Sequence, residues 1–204
     1  MRILQDYVSV VTYRDIIERY HISNIALIKY MITFLLKNIS APFSVNKFYN
    51  TLKSQGFSVS RSTVYDYLEY IEDAFLVFCV PLFSDSVRKV QNNPKKLYAI
   101  DNGLVQAHQL YLAPGLGKHF ENQVYLDLRR RGDEVYYYLT QERYEVDFLT
   151  RSLDGKLHLY QVAWEVEDEE TLHREQRALQ QAEKELGIRG EMITHSNYLS
   201  FLSP

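Results

Sequence analysis

The apolar positions fall into a helical rhythm, and later into short alternating runs. A helix is predicted over 12–20, with Thr12 as its cap and Asp15 near its positive end. A second is predicted over 24–38, capped by Ser23. It is apolar at Ile25, Ile28, Ile32, Leu35 and Leu36, with Leu27, Met31 and Phe34 widening the stripe. So broad a stripe implies burial on several sides, between domains or against a partner. Ala41-Pro42 ends that helix. Ser44 then caps a short helix carrying Val45, Phe48 and Leu52, and Ser60 caps another carrying Val64, Leu68 and Ile71. Between them Gln55-Gly56-Phe57-Ser58 makes a tight turn, which is the helix-turn-helix pattern. A strand over 75–83, a polar loop over 84–94 and a strand over 96–100 complete a winged helix.

After the turn or cap at Asp101-Asn102-Gly103, Ala113-Pro114-Gly115-Leu116-Gly117 reads as a linker. Beyond it the pattern predicts a helix over 118–131 and strands over 134–140, 144–150 and 157–163. A helix capped by Asp168 or Thr171 runs to Leu186, Gly187 ends it, and a strand covers 191–195. The expected class is α+β in three parts: a helical segment 1–40, a winged-helix domain 41–112 and an αβββαβ domain 113–204.

Composition narrows the functional classes. The 204 residues are 46% hydrophobic and 24% charged, an ordinary globular balance. The formal net charge of -3 gives no global pull toward nucleic acid, so such binding must rest on a local patch. One cysteine, Cys79, excludes a disulfide framework and a multi-cysteine zinc site, and suits a reducing, cytoplasmic setting. No signal peptide is read, no apolar run is long enough to span a bilayer, and no membrane partner is expected. The 17 tyrosines read mainly as half-buried packing.

The candidate chemistry lies in the C-terminal part. Glu121 falls on a helix, Asp147 on a strand and Gln161 on the next strand. Carboxylates converging from neighbouring elements are what a metal-dependent phosphodiesterase needs. Glu145 is either a second carboxylate beside Asp147 or a solvated strand-start residue. The acidic run from Glu165 through Glu170 reads as a helix start. His119 is either a base or a surface residue, and Cys79 reads as core.

In this order, these residues resemble the PD-(D/E)XK nuclease-like core. Upstream, Tyr13-Arg14-Asp15-Ile16, Ser60-Arg61-Ser62-Thr63-Val64, Lys96-Leu97-Tyr98-Ala99-Ile100-Asp101-Asn102-Gly103-Leu104 and Gly117-Lys118-His119-Phe120-Glu121-Asn122 resemble the DUF4143 region of prokaryotic AAA-type ATPases. The resemblance implies an ATPase domain or subunit as partner. No Gly-x-x-x-x-Gly-Lys-Ser/Thr segment is present, so this chain does not bind ATP by that device. It also implies catalytic positions at Glu121, Asp147 and Gln161, with Mg²⁺ or Mn²⁺ on Glu121 and Asp147. The motif's lysine position holds Ala163 and its second strand acid is Gln161, which makes the site degenerate.

Nucleic-acid contacts are expected from Arg61 on the recognition helix and from Arg88, Lys89, Lys95 and Lys96 in the wing. Asp66, Glu69, Glu72 and Asp73 oppose them. The alternative is a protein contact through Tyr65, Tyr67 and Tyr70. Two functions follow: a non-catalytic interaction or nucleic-acid-associated module of a AAA-type ATPase system, or a Mg²⁺- or Mn²⁺-dependent nuclease.

Overall fold

The computed structural model describes residues 2–108, 115–165 and 169–202, apart from the side chains of 169–171. The chain is mixed α+β and forms two compact units. The first is Met1–Cys79 with Pro94–Ala113; the second is Val80–Asn93 with Pro114–Pro204. Among the described residues no helix is long and apolar enough to cross a membrane.

In the first unit, α1 (Arg2–Val11) continues without a break into a π-helical segment, Thr12–Glu18. Thr12 is therefore no cap. It lies on the buried stripe with Val8 and donates its hydroxyl to the Val8 carbonyl at 2.7 Å, so nothing stops the helix there. Next comes α2 (Ile25–Lys37), capped by Asn24 rather than Ser23; the Asn24 side chain accepts the Leu27 N–H at 3.1 Å. Leu27, Ile28, Met31, Ile32, Leu35 and Leu36 are buried within this unit's own core. The breadth of that stripe is thus satisfied by the surrounding helices. After β1 (Pro42–Phe43), Ser44 caps α3 (Val45–Ser54) and Ser60 caps α4 (Arg61–Asp73), as their positions require. The three-stranded sheet has the order β1-β3-β2, with β2 (Val77–Val80), β3 (Lys95–Ala99) and an antiparallel β1–β3 pair. The segment between β2 and β3 is not an open polar loop. It contains α5 (Val87–Asn92), capped by Ser86, and it belongs to the second unit. Asp101 caps α6 (Asn102–His108) by accepting the Leu104 N–H at 3.0 Å.

The second unit runs α7 (Leu116–Arg130), β4 (Glu134–Leu139), β5 (Glu145–Arg151), β6 (Leu157–Ala163), α8 (Glu169–Leu186), β7 (Gly190–Thr194) and α9 (Tyr198–Leu202). Its sheet has the order β4-β5-β6-β7, antiparallel up to β6 and parallel between β6 and β7. Gly187 ends α8 in the left-handed region, φ 69°, where a side chain would be strained. Adjacent residues of β5 show how the layers lie. Phe148 stacks on Tyr125 of α7, whereas Leu149 joins Ala178, Leu179 and Ala182 of α8 in one cluster. Successive strand residues face opposite sides, so α7 and α8 cover opposite faces of the sheet.

Candidate functional site

β5 carries Asp147 through an irregularity. Tyr136 pairs with Leu149 and Tyr138 with Val146, so Asp147 and Phe148 together stand opposite Tyr137. This is a β-bulge, which re-aims the side chains around it. Val146 and Leu149 consequently reach the same cluster, which strict alternation would forbid.

The bulge coincides with the end of a ladder. Phe148 opposite Tyr160 is the terminal paired step between β5 and β6. One step further Asp147 and Gln161 would face each other, and there side chains replace backbone bonding. The Asp147 N–H donates to Gln161 Oε1 at 3.2 Å, and the Val162 N–H donates to Asp147 Oδ2 at 3.0 Å. Gln161 Nε2 donates in turn to Glu175 of α8. Glu175 also pairs with Arg174 at 2.7 Å. Asp147 is 8% exposed and Gln161 3%.

That geometry decides how the site could treat a cation. A hard divalent ion needs several oxygens turned toward one point. Here Asp147 Oδ2 is engaged by Val162 and Gln161 Oε1 by Asp147. Gln161 brings no charge, and Ala163 at the end of β6 brings no ammonium group. Among the described residues, no group of three or more His, Cys, Asp or Glu side chains is arranged to hold a metal ion. Of Asp147, Gln161 and Ala163, only Asp147 brings a charge.

Glu121 is half-buried on α7, one turn before Tyr125 and so on the helix's sheet-facing side. Glu175 reaches Gln161 from the opposite layer, α8. The structure therefore joins Asp147, Gln161 and Glu175, with Glu121 carried on the other helix. His119 is half-buried, and desolvation lowers its pKa from the usual imidazole value. Of the acidic run, Glu165 is exposed, while Glu167 and Asp168 lie outside the described residues.

Two features were missed in the sequence. Glu175 shares the helical stripe of Ala178, Leu179 and Ala182; a charge on an apolar stripe was the available signal. Asp127, 8% exposed on α7, accepts from Arg130 at 2.9 Å and from the Tyr198 hydroxyl, which ties α9 to α7. Burial and that bond to Asp127 push the Tyr198 phenol up to about 12.

The expected cations do not make one patch within one unit. Arg88 and Lys89 are exposed on α5 of the second unit. Lys95 is exposed on β3 of the first unit, but Lys96 beside it is buried at 1% exposure. Arg61 is exposed at the start of α4, its guanidinium 5.3 Å from the Tyr49 ring centre. The expected tyrosine face is divided by packing. Tyr65 is exposed, Tyr67 is buried, and Tyr70 stacks on Tyr20 with centroids 3.7 Å apart. Cys79 is half-buried; desolvation and the neighbouring Glu72 carboxylate push its thiol up, which makes it a poor nucleophile.

The chain matches the family model of DUF8612, a domain of unknown function, over residues 1–114. It is 36% identical over 189 residues to an uncharacterised protein of Methanocaldococcus jannaschii, covering 91% of this chain and 41% of that protein. It is 29% identical over 152 residues to an uncharacterised protein of Haemophilus influenzae, covering 74% of this chain and 38% of that one. The chain thus spans about two fifths of the length of these relatives. No solved structure matches it. The family match corrects the expected kinship with DUF4143, and the ATPase association inferred from it loses its basis. Of the residues that carry that resemblance, Lys96 to Ala99 lie in β3 and Asp101 caps α6. By the match over residues 1–114, the chain belongs to the DUF8612 family.

Proposed function

We propose that this chain is a non-catalytic interaction module, a winged helix joined to a PD-(D/E)XK-like domain whose former catalytic corner now holds the fold together. The order α7-β4-β5-β6-α8-β7, with β7 parallel to β6, supports the nuclease-like reading of the second unit. The helix-turn-helix of α3 and α4 beside a small sheet supports the winged-helix reading of the first. The observation that carries the non-catalytic reading is the Asp147–Gln161–Glu175 linkage. Its oxygens accept backbone and amide N–H groups where an active site would turn them to a metal. The partner would lie in a separate protein or in a region of the kind that the longer relatives have outside the matched residues.

A nucleic-acid association fits the same module through the exposed Arg88 and Lys89 of the second unit. Each phosphate contact would add about one unit to the log–log salt slope, so Arg88→Ala with Lys89→Ala would flatten it. The test of the whole reading combines Mn²⁺ calorimetry with cleavage assays on linear and branched DNA and on RNA. Neither binding nor cleavage is expected. Ala163→Lys is the complementary variant: cleavage gained by it would show that only the cation was missing, and that the acids are still arranged for catalysis.

A further inference from the structure

Four of the large apolar side chains that this chain exposes fall on its first helix. Ile3 is 81% exposed, Tyr7 54%, Val10 53% and Tyr13 42%. They lie on α1 and its π-helical continuation. The other side of the same helix carries Val8, Val11 and Ile16 into the core of the first unit. One side is therefore satisfied by the fold, and the other presents an apolar patch to solvent.

The charges on that patch are ordered. Arg2, Asp6, Val10, Arg14 and Glu18 follow one another at four-residue intervals, and all five are exposed. Residues so spaced form one ridge along a helix. The charge along the ridge runs positive, negative, neutral, positive, negative. Reversing its direction about Val10 sets Asp6 against Arg14 and Arg2 against Glu18. Every charge then meets its opposite in an antiparallel copy of the same ridge, whereas a parallel copy would set each against its own kind. The spacing also allows pairs along one helix, Arg2 with Asp6 and Arg14 with Glu18. Neither of these forms a salt bridge among the described residues.

We propose that this ridge docks a second copy of this chain through the same helix, antiparallel and centred on Val10. Helices whose four-residue ridges interlock cross at about −50°, the commonest class of helix packing, and that crossing brings the two ridges into line. Val10 then meets its own counterpart at the two-fold axis. Ile3, Tyr7 and Tyr13 add apolar area beside it, and the Asp6–Arg14 contact forms twice by symmetry. The surface is small, so the affinity is modest and the charge order selects the direction of pairing. The proposal goes beyond the interaction reading above and does not use the Asp147 corner of the second unit.

Sedimentation velocity of the whole chain tests it. A monomer–dimer equilibrium is expected with a Kd of about 1–100 µM. Val10→Glu, which places two carboxylates at the axis, is expected to weaken it about tenfold or more. Asp6→Arg leaves like charges at both inner contacts, and so does Arg14→Asp; each alone is expected to weaken the dimer similarly. Mixed together, these two single variants present opposite charges and are expected to form a mixed dimer. The double variant is expected to associate as the parent does. Circular dichroism checks that each variant is folded, and if Val10→Glu is not, the charge exchange decides alone. A parent chain that stays monomeric at about 100 µM leaves the helix to a different protein and overturns the proposal. So does a dimer that survives both single exchanges, or a mixture of them that stays monomeric. Nucleic-acid cleavage would overturn the non-catalytic reading and leave this dimer standing, so the two fail separately.

Discussion

Asp147 and Gln161 hold each other across the frayed end of the β5–β6 ladder. The Asp147 amide is bound by the Gln161 side chain at 3.2 Å, and the Asp147 carboxylate binds the next amide on β6 at 3.0 Å. Two polar side chains thereby do the work of two backbone bonds. A buried N–H without a partner is destabilising by about 1–3 kcal/mol. Asp147→Ala should therefore lower unfolding free energy by about that amount, while Asp147→Asn, which keeps an acceptor oxygen, should lower it less. Urea unfolding of both variants separates them; equal loss would remove the structural role assigned to Oδ2.

The start of β7 allows no side chain. A Cβ placed on Gly190 would lie 2.4 Å from Leu179 Cδ1 and 2.6 Å from Cγ. Leu179 is buried in the α8 cluster and has little room to move. Gly190→Ala should destabilise by about 1–3 kcal/mol through overpacking, measured as a lower urea midpoint. Gly190→Ala combined with Leu179→Ala should recover part of the clash and lose the leucine's packing instead.

The turn after β4 offers the opposite sign. Arg143 occupies the left-handed region at φ 67°. Arg143→Gly should raise stability by about 1 kcal/mol, because glycine adopts that conformation without the steric penalty. A fall in thermal midpoint would show that the Arg143 side chain contributes to the fold.

Glu185 ties α8 to the same hairpin. Burial raises its carboxyl pKa, but the Tyr138 hydroxyl, the Gln141 N–H and the Gln181 amide outweigh that and leave it lowered. A lowered folded value means that the stabilisation is present above the ordinary pKa of 4.5 and is lost as pH falls through the folded value. Glu185→Gln should remove this part of the acid dependence. For the partner phenol, burial and the bond to Glu185 push Tyr138 up to about 12. Its neutral form supports the fold fully below pH 10 and that support is lost as pH rises through about 12. Absorbance titration of Tyr138→Phe against the parent chain should lose one phenol from the highest-pH fraction.

Much of the fold was legible because local signals are strong in this chain. Ser44 and Ser60 cap their helices, Gly187 ends α8, and the β4 to β7 strands follow short β-branched and aromatic runs. What failed were positions where two local readings compete. Thr12 has the chemistry of a cap, yet its hydroxyl is satisfied by the Val8 carbonyl within a continuing helix. The polar stretch before β3 reads as loop by composition, although Ser86 caps a short helix in it. Glu121, Asp147 and Gln161 are legible as one candidate site, but the bulge that turns the Asp147 and Gln161 oxygens into the strand gap has no single-residue signature. Glu175 needed the partner helix to be placed before its link to Gln161 could be seen.

The most direct measurement of the central claim is metal-dependent cleavage by the intact chain. DNA and RNA substrates are incubated with Mg²⁺ or Mn²⁺, alongside calorimetric titration of each cation. With Asp147 and Gln161 engaged in holding β5 to β6, the expected result is intact substrate and no site-specific heat. Cleavage by the parent chain that disappears in folded Asp147→Asn would contradict the account, because it would make Asp147 a metal ligand.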